Sequence, residues 1–230
     1  MKKFLMVLFL AVITLPAFAI EDVSTKNVQE IGFKILNANK IEKRVVFKSV
    51  YNVKNPYYVG FSHSWKPESA NLAYTDRTIT VFGDTLSLAN NEDELGAILS
   101  QEIAQSLESY KGIFRGFFSS TRYEFDPRKY ESKADLKAVD YMVNTGYNPV
   151  ALIVMYNKSL GQTRYEWCHY YPLASARMMK VYEYIHSKYP QYLIDNKYKD
   201  NIYYVNFMLT SKPDMIKFEK KLNRIKNNIN

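Results

Sequence analysis

The chain has 230 residues, 31 Lys and Arg against 23 Asp and Glu for a formal charge of +8, and one cysteine, Cys168. That length suits one domain with its own core, or one domain plus an extension. A lone cysteine excludes an internal disulfide framework, and basic residues interspersed with acids, without an arginine-rich block, argue against nucleic acid as a partner.

Residues 1–19 read as a signal peptide. Lys2 and Lys3 form a charged start, Phe4 to Leu15 an apolar stretch, and Ala17-Phe18-Ala19 a small-residue cleavage site. The apolar stretch is short for a membrane span and is broken by Pro16. An uncleaved anchor is the less favoured reading. No cysteine directly follows the cleavage site, which disfavours a lipoprotein anchor. The expectation is a chain starting near Ile20, exported to a bacterial periplasm or secreted. Loss of Lys2 and Lys3 leaves a charge of +6, suited to acidic partners such as anionic lipid or cell-wall polymers. The twenty tyrosines fit a composition bias better than a functional tyrosine surface.

Asp22 to Asn37, with Val28, Ile31, Ile35 and Leu36 at helical spacing, predicts an amphipathic helix. Lys43 to Asn52 reads as a strand, and the region around Pro56 and Pro67 as a loop. Ala70–Tyr74 and Arg77–Phe82 are two further strands joined at Thr75-Asp76, with Gly83-Asp84 ending the second. Asn91 is a good N-cap, and Glu94 three residues on completes a capping-box pattern. The helix it opens should run to about Tyr110 and stop at Lys111-Gly112, before an aromatic loop over 113–126.

A helix from Pro127 to Asn144 should end at Gly146, and Pro149 should start another that ends near Leu160-Gly161. Leu173–Lys188 is helical in pattern. Beyond Pro190 the sequence reads as a Tyr- and Asn-rich linker, an apolar run Ile202–Leu209, and a basic helix Asp214–Asn227. Packing of that helix on the domain is favoured over a membrane-surface role.

The most telling order of motifs lies between residues 71 and 177. A strand pair over 71–81 precedes Asn91-Glu92-Asp93-Glu94-Leu95 and then Gln101-Glu102-Ile103-Ala104-Gln105. Glu131-Ser132-Lys133-Ala134-Asp135 follows, and later Tyr171-Pro172 with Arg177. This series resembles the gluzincin metallopeptidase family typified by HtpX, the CAAX prenyl endopeptidase and BepA. Its members show N-E-D-E-L, then H-E-x-x-H, then E-x-x-A-D, then H-P-x-x-x-x-R. The resemblance covers about residues 27–188 and implies an α+β minigluzincin (zincin-like) fold, mostly helical, with a small mixed sheet before the active-site helix. The expected organisation is signal peptide 1–19, a degenerate peptidase-like domain over 20–188, and an extension over 189–230 carrying the basic amphipathic helix.

Carried over by position, the resemblance puts Gln101 and Gln105 where the two zinc histidines stand, and Glu131 at the third ligand. Glu102 takes the place of the general base, and Asp135 that of the carboxylate orienting a ligand histidine. Tyr171 stands where many members have a histidine near the metal, and Arg177 matches the segment's arginine. Thr78, Ile79, Thr80, Val81 and Phe82 correspond to the sheet-edge strand that pairs with extended substrate. Gln101, Gln105 and Tyr171 depart from the pattern, and every departure is a lost histidine.

A glutamine offers zinc only a neutral amide oxygen, and loss of two ligand histidines should cost more than the roughly 10–100-fold that follows from disturbing their outer partners. No bound metal or other cofactor is therefore expected, and Glu102 becomes a vestigial base that hydrogen-bonds within the cleft, to the Gln105 amide or to a basic side chain. The leading expectation is a pseudopeptidase that binds polypeptide or an envelope protein. A working metalloendopeptidase using Glu131 and His169, and a membrane- or wall-surface protein acting through its C-terminal helix, are the two rivals.

Overall fold

The computed structural model describes residues 27–50, 59–63, 77–108, 127–160 and 174–227. It is mostly helical. Helix α1 spans 27–38, followed by strands β1 (Val45–Val50), β2 (Val59–His63) and β3 (Arg77–Phe82). Helices α2 (Gly83–Leu88), α3 (Glu92–Glu108), α4 (Pro127–Thr145), α5 (Val150–Ser159) and α6 (Ala174–Lys188) build the body. The short α7 (Gln191–Ile194), then α8 (Ile202–Thr210) and α9 (Lys212–Asn227), follow.

The strands pair in the order β1-β3-β2. β1 runs parallel to β3, with Phe47 opposite Ile79, and β2 runs antiparallel to it, with Phe61 opposite Ile79. Alternation sets the inner face: Val45, Phe47, Ile79 and Val81 are buried while Lys48 is exposed. Helix α1 covers this face through Val28, Ile31 and Ile35. A Cβ on Gly32 would sit 2.5 Å from the Phe47 ring, so the helix closes on the sheet only because that side chain is absent.

Three expectations are corrected here. The segment Thr78–Phe82 is not a sheet edge: β3 is the middle strand, hydrogen-bonded on both sides, and β1 and β2 form the edges among the described residues. Gly83-Asp84 does not simply end β3 but opens α2. The stretch assigned to a loop between Pro56 and Pro67 contains β2. The strand expected over 70–74, Cys168 and the loop over 113–126 lie outside the described residues.

Helix α5 is the hub. Val150 to Tyr156 are all buried, so every side of this helix meets protein. It contacts α3, α6 and α8, while α3 packs most extensively along α4. Leu99, Ile103, Met142, Leu152, Ile153, Met155 and Ile185 fill the space between them. The α4–α5 corner is made by Gly146 at φ +86°, where Tyr147 N–H donates to the Met142 carbonyl (2.8 Å) and Gly146 N–H to that of Val143 (3.0 Å). These two bonds satisfy carbonyls that the helix end would otherwise leave open.

The segment after Lys188 is no free linker. Lys197 pairs with Asp93 (2.6 Å), the Tyr198 hydroxyl donates to Asn91 Oδ1 (3.1 Å), and Asn157 Nδ2 donates to the Tyr203 carbonyl (2.6 Å). Tyr198, Tyr204 and Phe207 are buried in the common core. The same Asn91 caps α3 by accepting from the Glu94 N–H (3.0 Å). Glu94 reaches back to the Asn90 N–H (2.8 Å), one residue earlier than a capping box requires.

Candidate functional site

One polar cluster is buried among α3, α4, α5 and α6. Gln101 and Gln105 sit one turn apart on α3, which puts both side chains on one face. Glu131 and Asp135 hold the same relation on α4. Where α3 and α4 pack together these two pairs meet, and the structure brings the predicted residues of both helices together.

The contacts are specific. Gln101 Nε2 donates to Gln105 Oε1 (3.1 Å) and, at 3.4 Å, to Glu131 Oε2. Gln105 Nε2 donates to Glu131 Oε1 at 2.6 Å. Arg177 on α6 brings its Nη2 to 3.0 Å from Glu131 Oε2. It also grips Asp135 with two bonds, Nε to Oδ2 at 2.9 Å and Nη2 to Oδ1 at 2.5 Å. Such a forked pair has the geometry in which a guanidinium binds a carboxylate best.

Tyr156 completes the cluster. Its hydroxyl donates to Asp135 Oδ1 (2.5 Å) and accepts from Arg177 Nη2 (2.8 Å), and its ring lies under the guanidinium with 4.4 Å to the centroid. Burial, set against the nearby positive charge of Arg177, holds the phenol well above its ordinary pKa, so it stays protonated. Sequence reasoning missed this residue. The available signal was a single polar tip in the apolar run Val-Ala-Leu-Ile-Val-Met-Tyr.

Glu102 is buried beside this cluster, and its Oε2 has no hydrogen-bond partner among the described residues. The expected bond to the Gln105 amide is not made, because that amide is turned to Glu131. Burial first, and the negative charge of Glu131 second, push the Glu102 carboxyl well above its ordinary pKa, with Arg177 opposing. The same surroundings favour the neutral form of this side chain over the charged one.

The donor set does not fit zinc. Both glutamines direct amide N–H groups at Glu131, where a cation would need oxygen or nitrogen lone pairs. Arg177 already supplies a positive charge to both carboxylates. Among the described residues no three His, Cys, Asp or Glu side chains converge as a metal-binding group. Asp135, matched to the carboxylate that orients a ligand histidine, here orients Arg177 and Tyr156 instead. Tyr171 and His169 lie outside the described residues.

A second buried ion pair braces the start of α3. Lys158 on α5 contacts Glu94 Oε2 at 2.6 Å, with both side chains almost wholly out of solvent, and donates to the Leu88 carbonyl at 2.9 Å. This pair fixes α3 against α5 and so sets the height of Gln101 and Gln105 along the cluster. No family model, curated protein or solved structure matches this chain.

Proposed function

We propose that this chain is an exported pseudopeptidase of gluzincin ancestry, with a minigluzincin-like fold, that binds polypeptide in the cell envelope without cutting it. The motif order from Asn91 to Arg177 supports the ancestry. One observation carries the loss of catalysis: the positions matched to the two histidine ligands are amides that donate to the third ligand's carboxylate, with 2.6 Å from Gln105 Nε2 to Glu131 Oε1. A carboxylate saturated by amide and guanidinium donors is neutralised without a metal. Glu102, whose Oε2 has no hydrogen-bond partner among the described residues, then has no metal-activated water to serve.

Polypeptide capture needs no cation. An extended segment can add to an exposed sheet edge through main-chain hydrogen bonds alone. Among the described residues the edge strand beside α3 is β2, which runs antiparallel to β3. This replaces the Thr78–Phe82 segment as the strand to which a peptide would pair. The partner class is therefore an unfolded or extended chain, or an envelope protein offering one.

Metal analysis of the purified protein, run beside a proteolysis assay and a binding assay with a fluorescent unfolded protein such as reduced carboxymethylated lactalbumin, tests the proposal. The expected result is binding without cleavage and without stoichiometric zinc. Stoichiometric zinc together with cleavage that disappears in Glu102→Gln overturns it in favour of a working metalloendopeptidase.

A further inference from the structure

Seven of the eight exposed large apolar side chains among the described residues fall between Ile194 and Ile225, so apolar exposure is a local property of one segment. On α8, Ile202, Val205 and Leu209 follow the i, i+3, i+7 spacing of a single stripe and are 74%, 39% and 69% exposed. The opposite side of the helix, Tyr204 and Phe207, is buried in the core. Ile194, 79% exposed, lies just ahead of it in the chain. The helix is thus anchored on one side and apolar on the other.

Helix α9 supplies the charge. Its sixteen residues hold six Lys or Arg against one Asp and one Glu, a surplus of four where the whole chain has eight. Lys217, Lys220, Lys221 and Arg224 recur at i, i+3, i+4 and i+7, and all are exposed. Phe218 packs edge-on against the His186 ring of α6 (5.2 Å between centroids), which fixes the orientation of this basic stripe on the body. α8 and α9 adjoin through Ser211, which is buried.

We infer that α8 and α9 together form a docking surface for an anionic lipid bilayer. The aliphatic stripe of α8 enters the boundary between headgroups and acyl chains, and the basic stripe of α9 faces the lipid phosphates. The chemistry favours lipid over a protein partner. Protein interfaces are anchored by several aromatic and arginine side chains seated in pockets, whereas the exposed faces here are mainly aliphatic on α8 and lysine on α9, with Tyr203 and Arg224 the one exposed aromatic and the one arginine among them. No helix among the described residues is long and apolar enough to cross a membrane, so the contact is with the surface.

The test is sedimentation with vesicles of phosphatidylglycerol and phosphatidylcholine, or of phosphatidylcholine alone. It uses the chain from Ile20 onward, which keeps every described residue and omits an apolar segment that would itself partition into lipid. Binding to anionic vesicles only is expected. Lys220→Glu with Lys221→Glu should weaken it by about 10-fold or more, given the contribution of each cation near a charged surface. Ile202→Ser with Leu209→Ser should abolish it while the circular dichroism spectrum is unchanged. Equal binding to neutral vesicles, no binding to either, or indifference to both double substitutions overturns the inference. So does a solution dimer that the Leu209 substitution dissolves. Zinc content and cleavage do not enter this experiment, so its failure leaves the preceding proposal where it stands.

Discussion

Across twenty-six residues of sequence, Gln105 Nε2 comes within 2.6 Å of Glu131 Oε1. The carboxylate it contacts is also held by Arg177 at 3.0 Å. Two neutral amides and one guanidinium are thus the partners of a buried acid. Isolated buried carboxylates are costly, and these contacts keep Glu131 paired.

On the proposed ancestry, histidines at positions 101 and 105 should confer metal binding. Gln101→His with Gln105→His creates two imidazoles one turn apart, facing Glu131. Zinc affinity should rise by at least about 100-fold, since ligand loss costs more than disturbing a ligand's outer partner. Cobalt substitution and its visible absorption would report the site directly. An unchanged affinity counts against the assignment of Glu131 as a former ligand.

Glu102→Gln should stabilise the protein, in a pH-dependent manner. The folded state raises the Glu102 pKa above its ordinary 4.5, so folding favours the protonated form. That contribution is fully present below the unfolded value and is lost as pH rises toward the folded one. Glutamine mimics the protonated acid at every pH. The Tm gain should therefore be near zero around pH 4 and grow to several degrees by pH 8, with roughly 1 kcal/mol moving the Tm of a chain this size by about 2–4 °C. A gain that is the same at both pH values would contradict the upward shift of the Glu102 pKa.

Lys158→Met keeps the aliphatic volume but strands Glu94 without its cation. Breaking a buried pair on one side typically costs about 3–5 kcal/mol. Chemical denaturation should show a loss in this range, and adding Glu94→Gln should recover part of it. A single substitution costing under about 1 kcal/mol would mean that water reaches the pair.

Lys40 adopts φ 51° just beyond α1, where Ile41 N–H donates to the Leu36 carbonyl at 2.9 Å. Left-handed backbone costs a residue with a Cβ roughly 1–2 kcal/mol relative to glycine. Lys40→Gly should therefore raise stability by up to about 1 kcal/mol, once the entropy glycine adds to the unfolded chain is subtracted. Denaturant midpoints of the two proteins would settle the sign.

What the sequence made legible was local. Asn91 announced the start of α3, Gly146 the end of α4, and the β-branched and aromatic residues of 43–52 the strand β1, because each depends on a few neighbouring residues. Strand order was not legible. That β3 lies between β1 and β2 follows from pairings across long stretches of chain, and the short β2, with Gly60 inside it and Pro56 before it, carries little strand signal of its own. Gly83-Asp84 resembles a turn, yet α2 begins there. The meeting of Gln101, Gln105 and Glu131 was expected only through the family resemblance. The Tyr156 hydroxyl on Asp135 and the Lys158–Glu94 pair had no such guide, since each joins residues on different helices.

The clasp that ties Lys197 and Tyr198 to the first turn of α3, with Phe207 sealed beneath α8, bears on how the molecule comes to be. Its interior cannot close until residues through about 210 have left the ribosome, because places beside the earlier helices wait for side chains made last. Clipping the chain near Pro190 would therefore remove a keystone and not a passenger, and a shortened version should be judged by whether it folds before it is asked what it binds.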